Sequence, residues 1–148
     1  MHAHRLDAYK IAPDGLKALR EVEAYLHRST LGDQLIELVK MRASQINGCA
    51  YCLDMHSKAL RRGGETERRI YLLNAWRESP LYTPRERAAL AWTDAVTRIA
   101  ETQAPDDVYE EVCRHFDEKE VVALTTLVGM INLWNRMAIS LRYEHPTE

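Results

Sequence analysis

Apolar residues recur at helical spacing along most of the chain, and no segment alternates with the period of two that a half-buried strand requires. Leu16, Leu19, Val22 and Leu26 form one stripe, which predicts a helix beginning near Pro13 or Asp14 and ending around Ser29 to Gly32. Leu35, Leu38, Val39, Arg42 and Ile46 trace one side of a second, from about Asp33 to Ile46, where Asn47-Gly48 interrupts it. A third opens at Cys49 and runs to Gly63-Gly64, with Arg61 and Arg62 in the last turn to suit the helix dipole. A shorter helix is expected over Glu65 to Ala75.

Beyond Ser79-Pro80 the run Thr83-Pro84-Arg85-Glu86 combines an N-cap threonine, a proline at the first helical position and a capping-box glutamate. It predicts a helix of about four turns, ending near Glu101 or Thr102. Pro105-Asp106 starts a short helix through Phe116, and Asp117-x-x-Glu120 opens a long one to about Tyr143. In that last segment Val121, Leu124, Leu127, Val128, Ile131 and Trp134 leave little polar face, which suits the centre of a fold or a subunit interface. The pattern as a whole predicts an all-α, single-domain bundle of about seven helices spanning residues 1–148, with no repeat or linker dividing it.

Composition narrows the function classes. Apolar residues make up 46% and charged residues 28%, ordinary for a globular protein. The net charge of −2 supplies no basic field for nucleic acid and no polybasic patch for a membrane surface, so neither is expected as a partner. The N-terminal MHAHRLDAYKIAPDG lacks the apolar core of a signal peptide, and no later stretch is read as a membrane span, so a cytoplasmic location is expected. Three cysteines, two of them close together, suit redox chemistry or metal binding in a reducing compartment better than a disulfide framework.

A helix turns by about 100° per residue, so Cys49, Cys52 and His56 project from one face within little more than a turn of each other. Cys49 also follows the Asn-Gly break, where free backbone N–H groups stabilise a thiolate. A thiolate attacks peroxide or disulfide, and a second thiol three residues away can condense with the sulfenic acid that results. His56 can take the departing proton, and a carboxylate behind it would fix its orientation. Glu37 is one candidate, although the break leaves its direction relative to the thiols undetermined. Zinc held by two thiolates, an imidazole and Glu37 is less apt, because a structural site joins two separate knuckles whereas three of these ligands come from one helix. No metal and no cofactor is expected.

Glu37, the run Cys49-Ala50-Tyr51-Cys52 and His56, within LVKMRASQINGCAYCLDMHSKALRRGGET, resemble the signature of the alkylhydroperoxidase D-like (AhpD-like) branch of the carboxymuconolactone decarboxylase family. The resemblance extends over most of the chain, to IxLWNRMAIS. It implies an oligomeric oxidoreductase, a trimer or hexamer, with peroxidase or peroxiredoxin-type antioxidant activity on hydroperoxides and a redox-active disulfide. Carried over residue by residue, it makes Cys52 peroxidatic and Cys49 resolving, with Glu37 and His56 as the proton relay. Helix-end electrostatics alone would favour Cys49 as the more acidic thiol. The reductant implied is a dithiol, such as a lipoyl-bearing or thioredoxin-like protein. Tyr51 stands where the best-known members carry a histidine, which removes one relay group because a phenol is a poor base near neutral pH.

Two other functions fit the same residues. One is lactone decarboxylation, the activity that names the wider family, for which two cysteines are not needed. The other is a non-catalytic disulfide switch. Outside the cluster, Cys113 reads as a small buried hydrophobe and His27 and His115 are assigned no role; the pair His2 and His4 could touch a metal, but scattered histidines on a mobile terminus are the default reading.

Overall fold

Two helices that bury side chains on most of their faces organise the rest of the chain in the structure, a computed structural model that describes residues 3–148. The first, α3 (Asp33–Asn47), buries every residue from Leu38 to Ser44. The second, α9 (Glu118–Leu141), buries Leu124, Leu127, Val128 and Ile131 completely. Before α3 come α1 (Ala8–Ile11) and α2 (Pro13–Arg28); after it come α4 (Ala50–Arg62), α5 (Glu67–Leu72) and a 3-10 turn (Leu73–Ala75). Then follow α6 (Pro84–Thr97), α7 (Ile99–Thr102) and α8 (Asp106–His115). Helix α3 packs on α4, α6 and α9, and α9 also meets α2, α4, α6 and α8.

The described residues contain nine α-helices and no strand, an all-helical fold as expected. The excess over about seven lies in α1 and α7, single turns too short to display an apolar period. Helix α6 stops at Thr97, not near Glu101, because Arg98 leaves helical geometry at φ −100°, ψ 38° and α7 starts afresh. Both expected capping boxes form, at Thr83 with Glu86 and at Asp117 with Glu120. Helix α9 is long and apolar enough to span a membrane by length and composition, contrary to the sequence reading. Its apolar surface is used instead by the core, where Leu124, Leu127 and Val128 meet Leu26, Val39 and Ala89. His2, which was read together with His4, lies outside the described residues.

Leu127 is fully buried in that cluster. Leu127→Ala removes the apolar transfer gain and leaves a void that packed neighbours fill only in part, so urea unfolding should show a loss of about 2–5 kcal/mol. An unchanged midpoint would mean that α9 is not the core element.

Two polar ties locate the start of α4. Asn47 Nδ2 donates to Asn132 Oδ1 and Asn135 Oδ1, both at 2.9 Å, and Asn135 Nδ2 donates to Ser44 Oγ at 3.0 Å, which locks the end of α3 against α9. Arg42, placed by the sequence on an apolar stripe, is buried and grips Asp94 of α6 through Nε at 2.7 Å and Nη2 at 3.2 Å. At the far end of α9, Arg142 adopts φ 56°, ψ 57° and turns the chain back, so that Tyr143 N donates to Ala138 O at 2.9 Å. Arg5 N donates to Leu141 O at 2.9 Å and holds the N-terminal segment beside this turn.

Candidate active site

The chemistry-bearing segment begins where α3 must end. Gly48 lies at φ 68°, ψ 38°, a left-handed conformation that glycine adopts without a Cβ penalty. The chain then extends at Cys49, which becomes the N-cap of α4, its Sγ accepting from the Cys52 backbone N–H at 3.3 Å. Cys49 and Cys52 are joined as a disulfide with Cα atoms 5.3 Å apart. His56 follows one turn after Cys52 on the same helix.

Glu37 is on α3, and the packing of α3 against α4 brings its Oε2 to 2.8 Å from His56 Nδ1. Burial alone would raise the Glu37 pKa. The hydrogen bond from His56 and the positive charges of His56, Lys40 and His27 outweigh it, and the carboxyl is held below its ordinary value. An ionised Glu37 only accepts, so Nδ1 carries the proton and Nε2 is the ring nitrogen left for other work. The four residues singled out in the sequence therefore gather in one place, and the carboxylate stands behind the imidazole.

Cys49 and Cys52 are 1% and 2% exposed, so small molecules reach them only through the two adjoining pockets. Cys52 and His56 line one of about 220 Å³, with Met55, Tyr51, Trp134 and Tyr143 among its other walls. Cys49 opens on a second, of about 290 Å³, between the start of α4 and residues 138–147. Tyr51, Ala138 and Tyr143 stand between the two and line both. Tyr51 meets Tyr143 edge to face, with ring centroids 5.4 Å apart. Burial and the neighbouring Tyr9 push the Tyr51 phenol above its ordinary value, so it stays protonated near neutral pH.

Sequence reasoning missed one polar group in the Cys52 pocket. Lys40 Nζ donates to Glu23 Oε2 at 2.6 Å, and Glu23 Oε1 accepts from Trp134 Nε1 at 2.8 Å. Lys40 follows Glu37 by three residues, a same-face spacing that could have drawn notice; Glu23 comes from α2, and only tertiary packing brings it in. Cys113 was expected to be buried but is exposed on α8. That helix buries Val112, and the adjacent residue is turned outward. Among the described residues no three His, Cys, Asp or Glu side chains converge in a metal-holding arrangement.

The sequence profile of the carboxymuconolactone decarboxylase family matches residues 12–95, from α2 to near the end of α6. The chain belongs to this family. Over 139 residues it is 42% identical to YdfG, an uncharacterized protein of Bacillus subtilis (strain 168), covering 94% of this chain and 95% of that one. A structure of ATU0492 from Agrobacterium tumefaciens, a protein of unknown function with a suggested role as the antioxidant defence protein AhpD, is 49% identical. It superimposes with a TM-score of 0.95 over 99% of this chain and 100% of that one. An uncharacterized peroxidase-related protein of Silicibacter sp. TM1040 is 26% identical, with a TM-score of 0.83 over 95% of this chain and 74% of that one. This chain is thus an AhpD-like member of the carboxymuconolactone decarboxylase family, and its Cys49–Cys52 pair suits an antioxidant role.

Proposed function

We propose that the protein is a thiol-dependent peroxidase that reduces hydroperoxides through a Cys49–Cys52 disulfide cycle. The observation that carries this reading is the division of the two sulfurs between two pockets: Cys52 shares its pocket with His56, and Cys49 opens on another. Glu37 behind His56 completes a carboxylate, imidazole and thiol series. His56 Nε2 takes the Cys52 proton, and the thiolate attacks the terminal oxygen of R–O–OH. A sulfur–oxygen bond forms, the O–O bond breaks, and the alcohol leaves with the proton returned from His56. The Cys49 thiol then attacks the Cys52 sulfenic acid, closing the disulfide and releasing water. The two thiols have supplied two electrons. A dithiol, lipoyl-bearing or thioredoxin-like, attacks Cys49 from its own pocket and restores both thiols.

Cys49 at the helix N-cap is the sulfur that the local N–H groups favour as a thiolate. The proposed roles rest instead on access to His56. We assign the protein to the cytoplasm, where such a pair is kept reduced. We also assign it a trimeric or hexameric assembly, a reading supported by its AhpD-like family membership.

The test is mass spectrometry of the reduced protein before and after one equivalent of tert-butyl hydroperoxide. The expected result is the loss of two protons mapped to a Cys49-to-Cys52 bond; a thiol pair that survives the peroxide would refute the cycle. The same measurement under native conditions gives the subunit number, and a monomer would refute the assembly.

A further inference from the structure

The cysteine pair is closed in the structure, and in that form the Cys52 pocket keeps one oxidisable sulfur. Cys49 and Cys52 are joined, so neither offers a thiolate to a peroxide. The other sulfur-bearing side chain in the pocket wall is Met55, beside Tyr9, Tyr51, Trp134 and His56. A thioether does not titrate, so it needs no base before it reacts with a peroxide.

Position and exposure single out this methionine. Met55 comes three residues after Cys52 and four after Tyr51 on α4, spacings that make it a neighbour of both on the helix surface. It is 42% exposed while lining a pocket rich in aromatic side chains. Met41 and Met130 are buried and Met137 is half-buried, so among the described methionines only Met55 stands open to solvent. Leucine would line the same wall with nothing to oxidise.

We propose that Met55 is a modification site: hydroperoxide that enters the pocket after the disulfide has closed oxidises Met55 to the sulfoxide, and the sulfoxide slows later entry of apolar hydroperoxides. The inference rests on the peroxidase reading. In the step concerned, a lone pair of the Met55 sulfur attacks the terminal oxygen of R–O–OH, a sulfur–oxygen bond forms and the O–O bond breaks. The hydroxyl proton passes to the departing alkoxide, which leaves as the alcohol. The thioether gives up two electrons and the peroxide takes them, so no further reactant enters. The product places a polar oxygen among Tyr9, Tyr51 and Trp134, where an apolar substrate must displace its water without replacing the hydrogen bonds. While dithiol is plentiful, reduced Cys52 consumes the peroxide first. When dithiol runs out, the closed disulfide leaves Met55 as the group that reacts, and the pocket records the shortage.

Wild type and Met55→Leu, a substitution that nearly keeps the side-chain volume, are treated in the disulfide form with excess tert-butyl hydroperoxide. After the peroxide is removed, peptide mass spectrometry locates added oxygen. Dithiothreitol, which leaves sulfoxides intact, then reopens the disulfide, and single-turnover oxidation of Cys52 by cumene hydroperoxide is timed against each protein's own untreated sample. The expected result is one oxygen on Met55 ahead of Met41, Met130 and Met137, with wild-type oxidation slowed roughly tenfold. The two methionine sulfoxide reductases, one for each epimer, should restore the rate, and Met55→Leu should show no effect of treatment. An unmodified Met55, a modified Met55 with an unchanged rate, or an equal loss in Met55→Leu would each overturn the proposal. Untreated, reduced wild type whose cysteines survive the peroxide would remove the peroxidase reading itself, whatever is found at Met55 in the disulfide form.

Discussion

Cys52→Ser is expected to abolish peroxide turnover, by roughly a thousandfold or more, while the helical fold persists. A serine hydroxyl stays protonated beside His56 at neutral pH and forms no stable counterpart of a sulfenic acid, so neither half of the cycle can proceed. The replacement is nearly isosteric at the third residue of α4, so the helix is expected to keep its start. The assay is consumption of tert-butyl hydroperoxide with dithiothreitol as donor. Cys49→Ser gives the complementary result: Cys52 is still oxidised, but its sulfenic acid accumulates and can be trapped. Retained turnover in Cys52→Ser, or trapping at Cys49 in that variant, would reverse or remove the assigned roles.

The second large effect is expected at Glu37. Glu37→Gln keeps an oxygen within reach of His56 Nδ1 but removes the charge that orients the imidazole and balances its protonated form. Proton removal from Cys52 should slow by about a hundredfold. Read in a Cys49→Ser background, with peptide mapping to separate Cys52 from the exposed Cys113, the pH profile of iodoacetamide alkylation should change; an identical profile would exclude Glu37 from the relay. The carboxyl is held below its ordinary value, so its stabilising contribution is present above the carboxylate pKa of the unfolded chain and lost as pH falls through the lowered folded value. The stability gap between wild type and variant should therefore close only in acid. A gap that is constant with pH would point to packing rather than charge.

Much of this architecture was legible in local signals. The capping boxes at Thr83 and Asp117 set two helix starts, and the Asn47-Gly48 break with the Gly63-Gly64 stop bounded the cysteine helix to within a residue or two. Helical periodicity grouped Cys52 with His56 because both lie on one continuous helix. Glu37 could not be placed that way: its direction depends on the angle between α3 and α4, which local spacing does not encode. The same holds for Glu23, brought to Lys40 and Trp134 from α2, and for the Arg42–Asp94 pair, where tertiary contact makes a buried charge tolerable. Tyr143 escaped notice because its place depends on the backward turn at Arg142, just past the last helical period. Cys113 misled for the opposite reason, a small apolar residue on an amphipathic helix that happens to face outward.

The Asn47-Gly48 junction has one more consequence, for the chemical ageing of the protein. Asparagine followed by glycine is the pair most prone to deamidation, in which the glycine nitrogen attacks the side-chain carbonyl to give a succinimide. Here the attacking N–H donates to Ser44 O, and the amide under attack is pinned by Asn132 and Asn135. Cyclisation would require α3 to fray at the point that delivers Cys49, so the native protein protects a bond that its unfolded chain would lose quickly. Once deamidated, residue 47 would be a carboxylate facing two carbonyl oxygens, unable to restore the clamp. Samples that have partly unfolded in storage should then carry a permanent lesion beside the disulfide, even after they regain their helices.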